Sequence, residues 1–349
     1  MFQSHFKPLS LAVVLFAGLF MMTPTLTAQS DGAANEPVEL VVYSGRKESL
    51  IGPALDKFTK ATGNSVKVKY GSTSGMTALL LEEGDATPAD VFIAQDAGAL
   101  GALAKRQRLK KLPEGVMASV EPRFRSPDGV WIGVTGRARS VAYNTAKMKA
   151  SEMPASIVEF TDPRWKGRVG WAPGNGSFQA FVTAMRHRVG DEATEAWLRG
   201  MIANEAVVYP KNSAIVRAVG DGEVDLGFVN HYYLYRFLAE DPAFPVKNHF
   251  LPNGDPGALV NVAGVGLPRQ DDQEKRKAEA ALELVRFMLA EEAQNYFAQS
   301  TYEYPLARGI SPAGDLIPLG RIETPDMDLG DMDDLEGTLV MLRKVGALP

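Results

Sequence analysis

The residues best suited to chemistry in this chain are two adjacent tyrosines, Tyr232 and Tyr233, in the run Asn230-His231-Tyr232-Tyr233-Leu234-Tyr235. A free phenol ionises near pH 10, so it serves as an anionic ligand at neutral pH only beside a strong cation. Ferric iron is such a cation: hard, highly charged and matched to anionic oxygen, and tyrosine also binds ferric iron in haem form. The run follows an apolar segment, residues 224–229, that reads as a buried strand. It precedes residues 236–241, which read as the continuation of a helix. Neighbouring side chains on a regular helix or strand diverge. At a strand-to-helix junction the chain turns, and both phenols can converge on one point. Asn230 at that junction is suited to cap the helix through its side-chain oxygen. The plainer alternative is that Tyr232, Tyr233 and Tyr235 are helix-start aromatics packed against the protein.

Other stretches suit an anion. Gly174-Asn175-Gly176-Ser177 lies between a strand (168–171) and a helix (178–188), where free N–H groups and the helix dipole attract phosphate or carbonate. Asn212-Ser213 stands before another helix (214–220) in the same way. Each also reads as an ordinary turn. Arg137 and Arg139, two apart on an extended stretch, share a face that points either at a ligand or at solvent. Catalytic arrangements are missing: beyond the N-terminal segment the histidines are His187, His231 and His249, and no HExxH, GxSxG or Walker-type motif occurs.

The elements that must position these residues follow a strand–loop–helix rhythm. Strands are expected at 38–43, 66–70 and 90–94, with helices at 50–61, 76–83 and 97–106 between and after them. The rhythm resumes after residue 168, with further helices at 192–203 and a strand at 207–209. Such alternation implies an α/β fold with mainly parallel strands and ligands beyond their carboxyl ends. Residues 130–144 are too long an extended run for one ordinary strand. They suit a crossing between two lobes, with 258–265 as the return and 274–299 as one long helix. The expected architecture is a two-lobed, hinged clamshell whose lobes are 38–138 with 263–313 and 139–262 with 314–349.

With 349 residues the chain has room for about two domains. Its net charge of −5 argues against a broad nucleic-acid surface. The lack of cysteine excludes disulfides, thiolate metal sites and a lipid-modified N-terminal cysteine. Lys7, the apolar run 9–22 and small residues up to Ala28 read as a signal peptide, residues 1–28, shorter in its apolar part than the roughly 20 residues of a membrane span. A soluble periplasmic protein is expected.

Tyr43-Ser44-Gly45-Arg46, Gly84-Asp85-Ala86-Thr87-Pro88-Ala89-Asp90-Val91-Phe92, Gly136-Arg137-Ala138-Arg139 with Tyr143-Asn144, Gly222-Glu223-Val224-Asp225 with Asn230-His231-Tyr232-Tyr233, and Tyr302-Glu303-Tyr304-Pro305 occur in this order. Together they resemble the ferric-ion-binding periplasmic proteins of ABC transporters, the bacterial transferrin-like family, over essentially the whole chain after the leader. The Asn-x-Tyr-Tyr junction is the specific element. The resemblance implies a type II clamshell that binds iron(III) in its cleft through Tyr232 and Tyr233 with a synergistic anion, carbonate or phosphate. It implies anion contacts from Gly176, Ser177, Asn212 and Asn230, with Arg137 in a motif that contacts or closes over the anion. It also implies delivery by a monomer to an inner-membrane permease with its ATPase, and no enzymatic activity. The chain departs from the family at Lys47, where members often have histidine, at Gln95, near a common glutamate, and at Phe178, near a third tyrosine. Those positions could still line the cleft, with the anion supplying a larger share of the metal's shell. Two alternatives use the same chain: binding of an anionic organic solute (a phosphonate, a phosphosugar, thiamine) or a ferric chelate, and a secreted hydrolase or transferase.

Overall fold

Strand β1 (Glu39–Ser44) opens a run of α/β units: α1 (Glu48–Thr62), β2 (Ser65–Tyr70), α2 (Thr73–Glu83), β3 (Val91–Ala94) and α3 (Ala97–Lys105). The computed structural model describes residues 1–3, 5 and 36–349. The apolar run and cut site of the expected signal peptide lie outside the described residues. Residues Pro37–Pro349 form one compact unit. The three strands are parallel in the order β2-β1-β3. Helix α1 buries Ile51, Ala54, Leu55 and Phe58, the spacing of one helical face. It stops at Gly63, whose left-handed backbone lets its N–H reach Thr59 O.

A short helix α4 (Glu114–Met117) leads to β4 (Trp131–Asn144), 14 residues long and buried throughout. The second half then follows: β5 (Val169–Trp171), α5 (Gly176–Val189), α6 (Asp191–Ala203), β6 (Val207–Val208), α7 (Asn212–Asp221), β7 (Leu226–Asn230), α8 (Tyr232–Glu240) and β8 (Val246–His249). The chain returns through β9 (Val260–Gly266), α9 (Lys275–Leu289), α10 (Glu291–Tyr296), β10 (Tyr304–Pro305) and α11 (Leu335–Lys344).

Strand β4 belongs to both halves. From Trp131 to Ala138 it pairs antiparallel with β9; from Arg139 to Tyr143 it pairs antiparallel with β7. The parallel set β2-β1-β3 joins β9 on one side, and the parallel pairs of β5 with β6 and β7 stand on the other. The partner switch falls between Ala138 and Arg139, so the long extended run is one strand serving both halves of a single sheet. Strand β8, which the sequence pattern does not mark, is held by β4 at Val141–Asn144.

The expected single helix over 274–299 is divided. Ala290 is extended (ψ 158°), and α10 ends in a π turn, Phe297–Thr301. Gln294 supplies the reason: it is fully buried, its Nε2 donates to Met288 O and Val134 O, and its Oε1 accepts from the N–H groups of Leu306 and Ala307. A buried amide needs all those partners, and a straight helix would not bring them together. Among the described residues no helix is long and apolar enough to cross a membrane.

Candidate functional site

The switch point on β4 is also where the tyrosine pair is anchored. His231 N donates to Ala138 O at 2.9 Å, and Ala138 N donates to His231 Nδ1 at 3.1 Å. With Nδ1 accepting, the imidazole carries its proton on Nε2, which donates to Tyr302 O at 2.8 Å. The ring is wholly buried. Burial lowers its pKa to about 4, against opposing hydrogen bonds to Tyr302 and Ala138, so it stays neutral. Its position corrects the expected role of Asn230. Helix α8 begins with His231 already helical and no side-chain cap. Asn230 is instead the last residue of β7, buried, and its Oδ1 accepts from Arg139 Nη1 at 3.3 Å.

Tyr232 and Tyr233 begin α8 with their rings stacked, 4.4 Å between centroids and 29° between planes. The junction therefore does bring adjacent phenols side by side. Tyr232 is buried and Tyr233 half-buried, and the Arg236 guanidinium lies 5.3 Å from each ring. Burial, followed by the field of Tyr233, drives the Tyr232 phenol well above its ordinary range, with Arg137 opposing. That proton is held at neutral pH, and only a strong cation in contact with the oxygen would release it.

Beside the tyrosines lies a polar cluster that suits an anion. Asn175 caps α5, its Oδ1 accepting from Ser177 N at 3.0 Å and from Ser177 Oγ at 2.6 Å. Asn212, the first residue of α7, donates Nδ2 to Asn175 Oδ1 and to Ser177 Oγ, each at 3.1 Å. Arg139 Nη1 reaches Ser177 Oγ at 3.4 Å. Its Nη2 is buried with no partner among the described residues, an expensive arrangement unless a ligand completes it. Burial lowers the Arg139 pKa to about 10, against the raising fields of Tyr232 and Tyr233. It remains a cation at neutral pH. Gly176 is exposed, with open space where a side chain would sit.

The two arginines of the crossing strand part company. Arg137 is buried and donates to Gln95 O, on the β1–β3 side, while Arg139 faces α5 and β7. Being two apart would put them on one face of a flat strand, but the sheet changes partners between them. Arg139 therefore joins the cluster that Arg137 was expected to complete. The backbone of Gln95 is engaged, its N–H donating to Thr73 Oγ1 at 3.2 Å. Lys47 is exposed at the N-cap position of α1 without a capping bond.

Phe178 does not line a cleft. It is 1% exposed and packs at 5.6 Å from both Trp171 and Phe181, stacked on Trp197 at 6.3 Å. Helix α5 starts with its polar N-terminus at the cluster and turns its next residue into the core. Among the described residues no group of three histidines, aspartates or glutamates is placed to hold a metal ion. A surface hollow of about 710 Å³ beside Lys110, Lys111 and Arg269 includes none of these side chains.

Comparison with known proteins concerns the chain as a whole. Residues 86–316 match the family described as bacterial extracellular solute-binding protein. A periplasmic Fe(3+)-binding protein of Serratia marcescens is 31% identical over 304 residues, 86% of this chain and 88% of that one. The crystal structure of iron-bound HitA from Pseudomonas aeruginosa superposes with a TM-score of 0.79 at 33% identity, covering 89% of this chain and all (100%) of that one. A Trichodesmium protein solved with iron and citrate ligands superposes with a TM-score of 0.76 at 26% identity, covering 88% and 99%. The two half-sheets sharing β4 are thus the fold of the type II periplasmic binding proteins.

Proposed function

Since the chain belongs to the bacterial extracellular solute-binding proteins, in their ferric-ion-binding periplasmic branch, we propose that it is the substrate-binding component of an iron(III) ABC importer. In this reading Tyr232 and Tyr233 bind ferric iron as tyrosinates, and a synergistic anion, carbonate or phosphate, completes the metal's shell. The observation that carries it is the juxtaposition of the stacked tyrosine pair with a buried cluster whose Arg139 Nη2 lacks a partner among the described residues. The anion would take that donor together with Ser177, Asn212 and the backbone N–H of Gly176 at the α5 terminus. Asn230 orients Arg139, and Arg137 braces the opposite wall through Gln95.

The ferric ion is cargo. Its charge makes loss of the buried phenol protons favourable, and the two tyrosinates with the anion and water offer an all-oxygen shell suited to a hard ion. Lys47 and Gln95, with no carboxylate or histidine at those positions, leave more of the shell to the anion. A chelated ferric ion suits the same cluster, and a relative has been solved with iron and citrate. The lobes would be 38–138 with 263–313 and 139–262 with 314–349, closing about β4 and its return β9. A cleaved leader over 1–28, action as a periplasmic monomer and delivery to a permease with its ATPase complete the reading. It assigns the protein no reaction.

Ferric citrate added to the purified protein is expected to produce a visible phenolate-to-iron charge-transfer band. Tyr232→Phe and Tyr233→Phe should each abolish or strongly reduce it. A colourless wild type, with iron affinity unchanged in both variants, rejects the assignment.

A further inference from the structure

Between α10 and β10 the chain adopts conformations that are uncommon for its residues. Phe297–Thr301 form a π turn, and Tyr302 after it has a φ of 57°, a left-handed backbone rare for a bulky side chain. Both features gather at functional sites and persist where their surroundings over-determine them. Here the surroundings come from both sides of the switch point. Tyr302 O accepts from His231 Nε2, next to the tyrosine pair, and the Tyr302 ring stacks on Tyr235 at 5.7 Å. The Tyr304 ring lies 4.6 Å from that of His231, and its backbone pairs with Gly136 of β4.

Glu303 stands between them and reaches the other way. Both its carboxylate oxygens accept from Arg46 Nη2, at 3.0 and 2.9 Å, in a pair 1% and 2% exposed. Arg46 also donates Nη1 to Thr135 Oγ1 at 3.3 Å. It lies in the loop between β1 and α1, one residue before Lys47. Burial by itself would push the Glu303 carboxyl up; Arg46 and then Arg137 outweigh it and hold the group below its usual range. The ion pair is thus charged on both sides, and its geometry fixes where residues 302–304 sit.

We propose that Glu303 is a positioning residue for the metal site: held by Arg46, it fixes the strained Tyr302 backbone, which through His231 sets the start of α8 and the two phenols. This inference rests on the reading of Tyr232 and Tyr233 as iron ligands. Glu303 itself touches no metal; its effect passes through Tyr302 O and the His231 ring. Loss of such an outer partner typically costs about 10- to 100-fold in metal affinity.

The test uses wild type, Glu303→Gln, Tyr302→Gly and Tyr302→Phe, with Tyr232→Phe as the ligand control. Each is titrated with ferric citrate in phosphate buffer, reading affinity by chelator competition, the wavelength of the charge-transfer band, and the far-UV circular dichroism. Glu303→Gln keeps the size and removes the charge. Tyr302→Gly accepts the positive φ without strain and frees the segment, so it serves where Glu303→Gln does not fold. Tyr302→Phe keeps the stacked ring. The expected result is an affinity about 10- to 100-fold weaker and a shifted band in Glu303→Gln and Tyr302→Gly, with native dichroism, and wild-type values in Tyr302→Phe. Wild-type affinity and band in folded Glu303→Gln, or in Tyr302→Gly if the first does not fold, overturn the proposal while leaving the ligand reading intact. A wild type that takes no iron and shows no band overturns the ligand reading, and the proposal with it.

Discussion

His231 illustrates how a residue beside a site can serve by staying out of it. Each ring nitrogen has a backbone partner and the ring is fully buried, so the imidazole is a tie between β4, the start of α8 and Tyr302. Its charge state gives a prediction for the metal-free protein. The pKa is lowered from 6.5 to about 4 on folding. The unfolded chain therefore takes up a proton first as pH falls, and stability decreases with falling pH. The loss begins near pH 6.5, runs to about pH 4 where the folded state also protonates, and totals roughly 3 kcal/mol from this group. Urea unfolding at pH 7 and pH 4.5 should show it, and His231→Phe should flatten the difference; an identical slope in that variant would refute the assignment. Phe178 teaches the complementary lesson. Its sequence position suggested the cleft, yet an aromatic residue just inside a helix has more apolar surface to bury than a polar rim can accept, and it joined Trp171 and Trp197.

Elements bring the residues within reach. Helix α5 presents Asn175, Gly176 and Ser177 at its N-terminus, while α3, capped by Asp96 on Ala99 N, begins next to Gln95. The C-terminal segment packs on both helices. On α3 the fit is tight: a Cβ on Gly98 would run into Met332 O, and one on Gly101 into Gly330 O. On α5, Thr338 Oγ1 and Thr183 Oγ1 are hydrogen-bonded at 2.8 Å, and Arg186 pairs with Asp334 at 3.0 Å. Glycine at 98 and 101 is therefore required by close approach of backbone, since both lie in a helix where alanine would otherwise be preferred. Gly101→Ala is expected to destabilise the protein by about 1–3 kcal/mol, the usual cost of overpacking, measured by denaturant midpoint. Gly115→Ala, with nothing within 4 Å of the added carbon, should be neutral or stabilising by comparison. Equal midpoints for the two variants would contradict the packing argument.

At the scale of the molecule, one continuous sheet holds both halves, and the cargo would bind where that sheet changes partners. A ligand that binds only the folded state stabilises it by mass action, by about 4 kcal/mol at a thousandfold excess over Kd. Iron with phosphate or carbonate should therefore raise the melting temperature by several degrees, and Arg139→Gln should shrink the rise by removing the cationic donor for the anion. No rise in the wild type would count against the function, and an undiminished rise in Arg139→Gln against that role for Arg139. The α/β rhythm, the tyrosine junction and the asparagine-bearing helix starts were readable from local order, because hydrophobic period and capping chemistry are short-range properties. Which arginine meets the cluster was not, because Arg137 and Arg139 have the same spacing in any strand and diverge only where β4 exchanges β9 for β7. The buried tie of Glu303 to Arg46 spans 257 positions of sequence, and the break at Ala290 depends on a glutamine satisfied by residues from β4, α9 and the segment after β10. The sequence by itself thus determined the elements and the residue types at the candidate site. Tertiary structure alone decided which of those residues meet, since long-range pairing and complete satisfaction of buried polar groups belong to the folded chain as a whole.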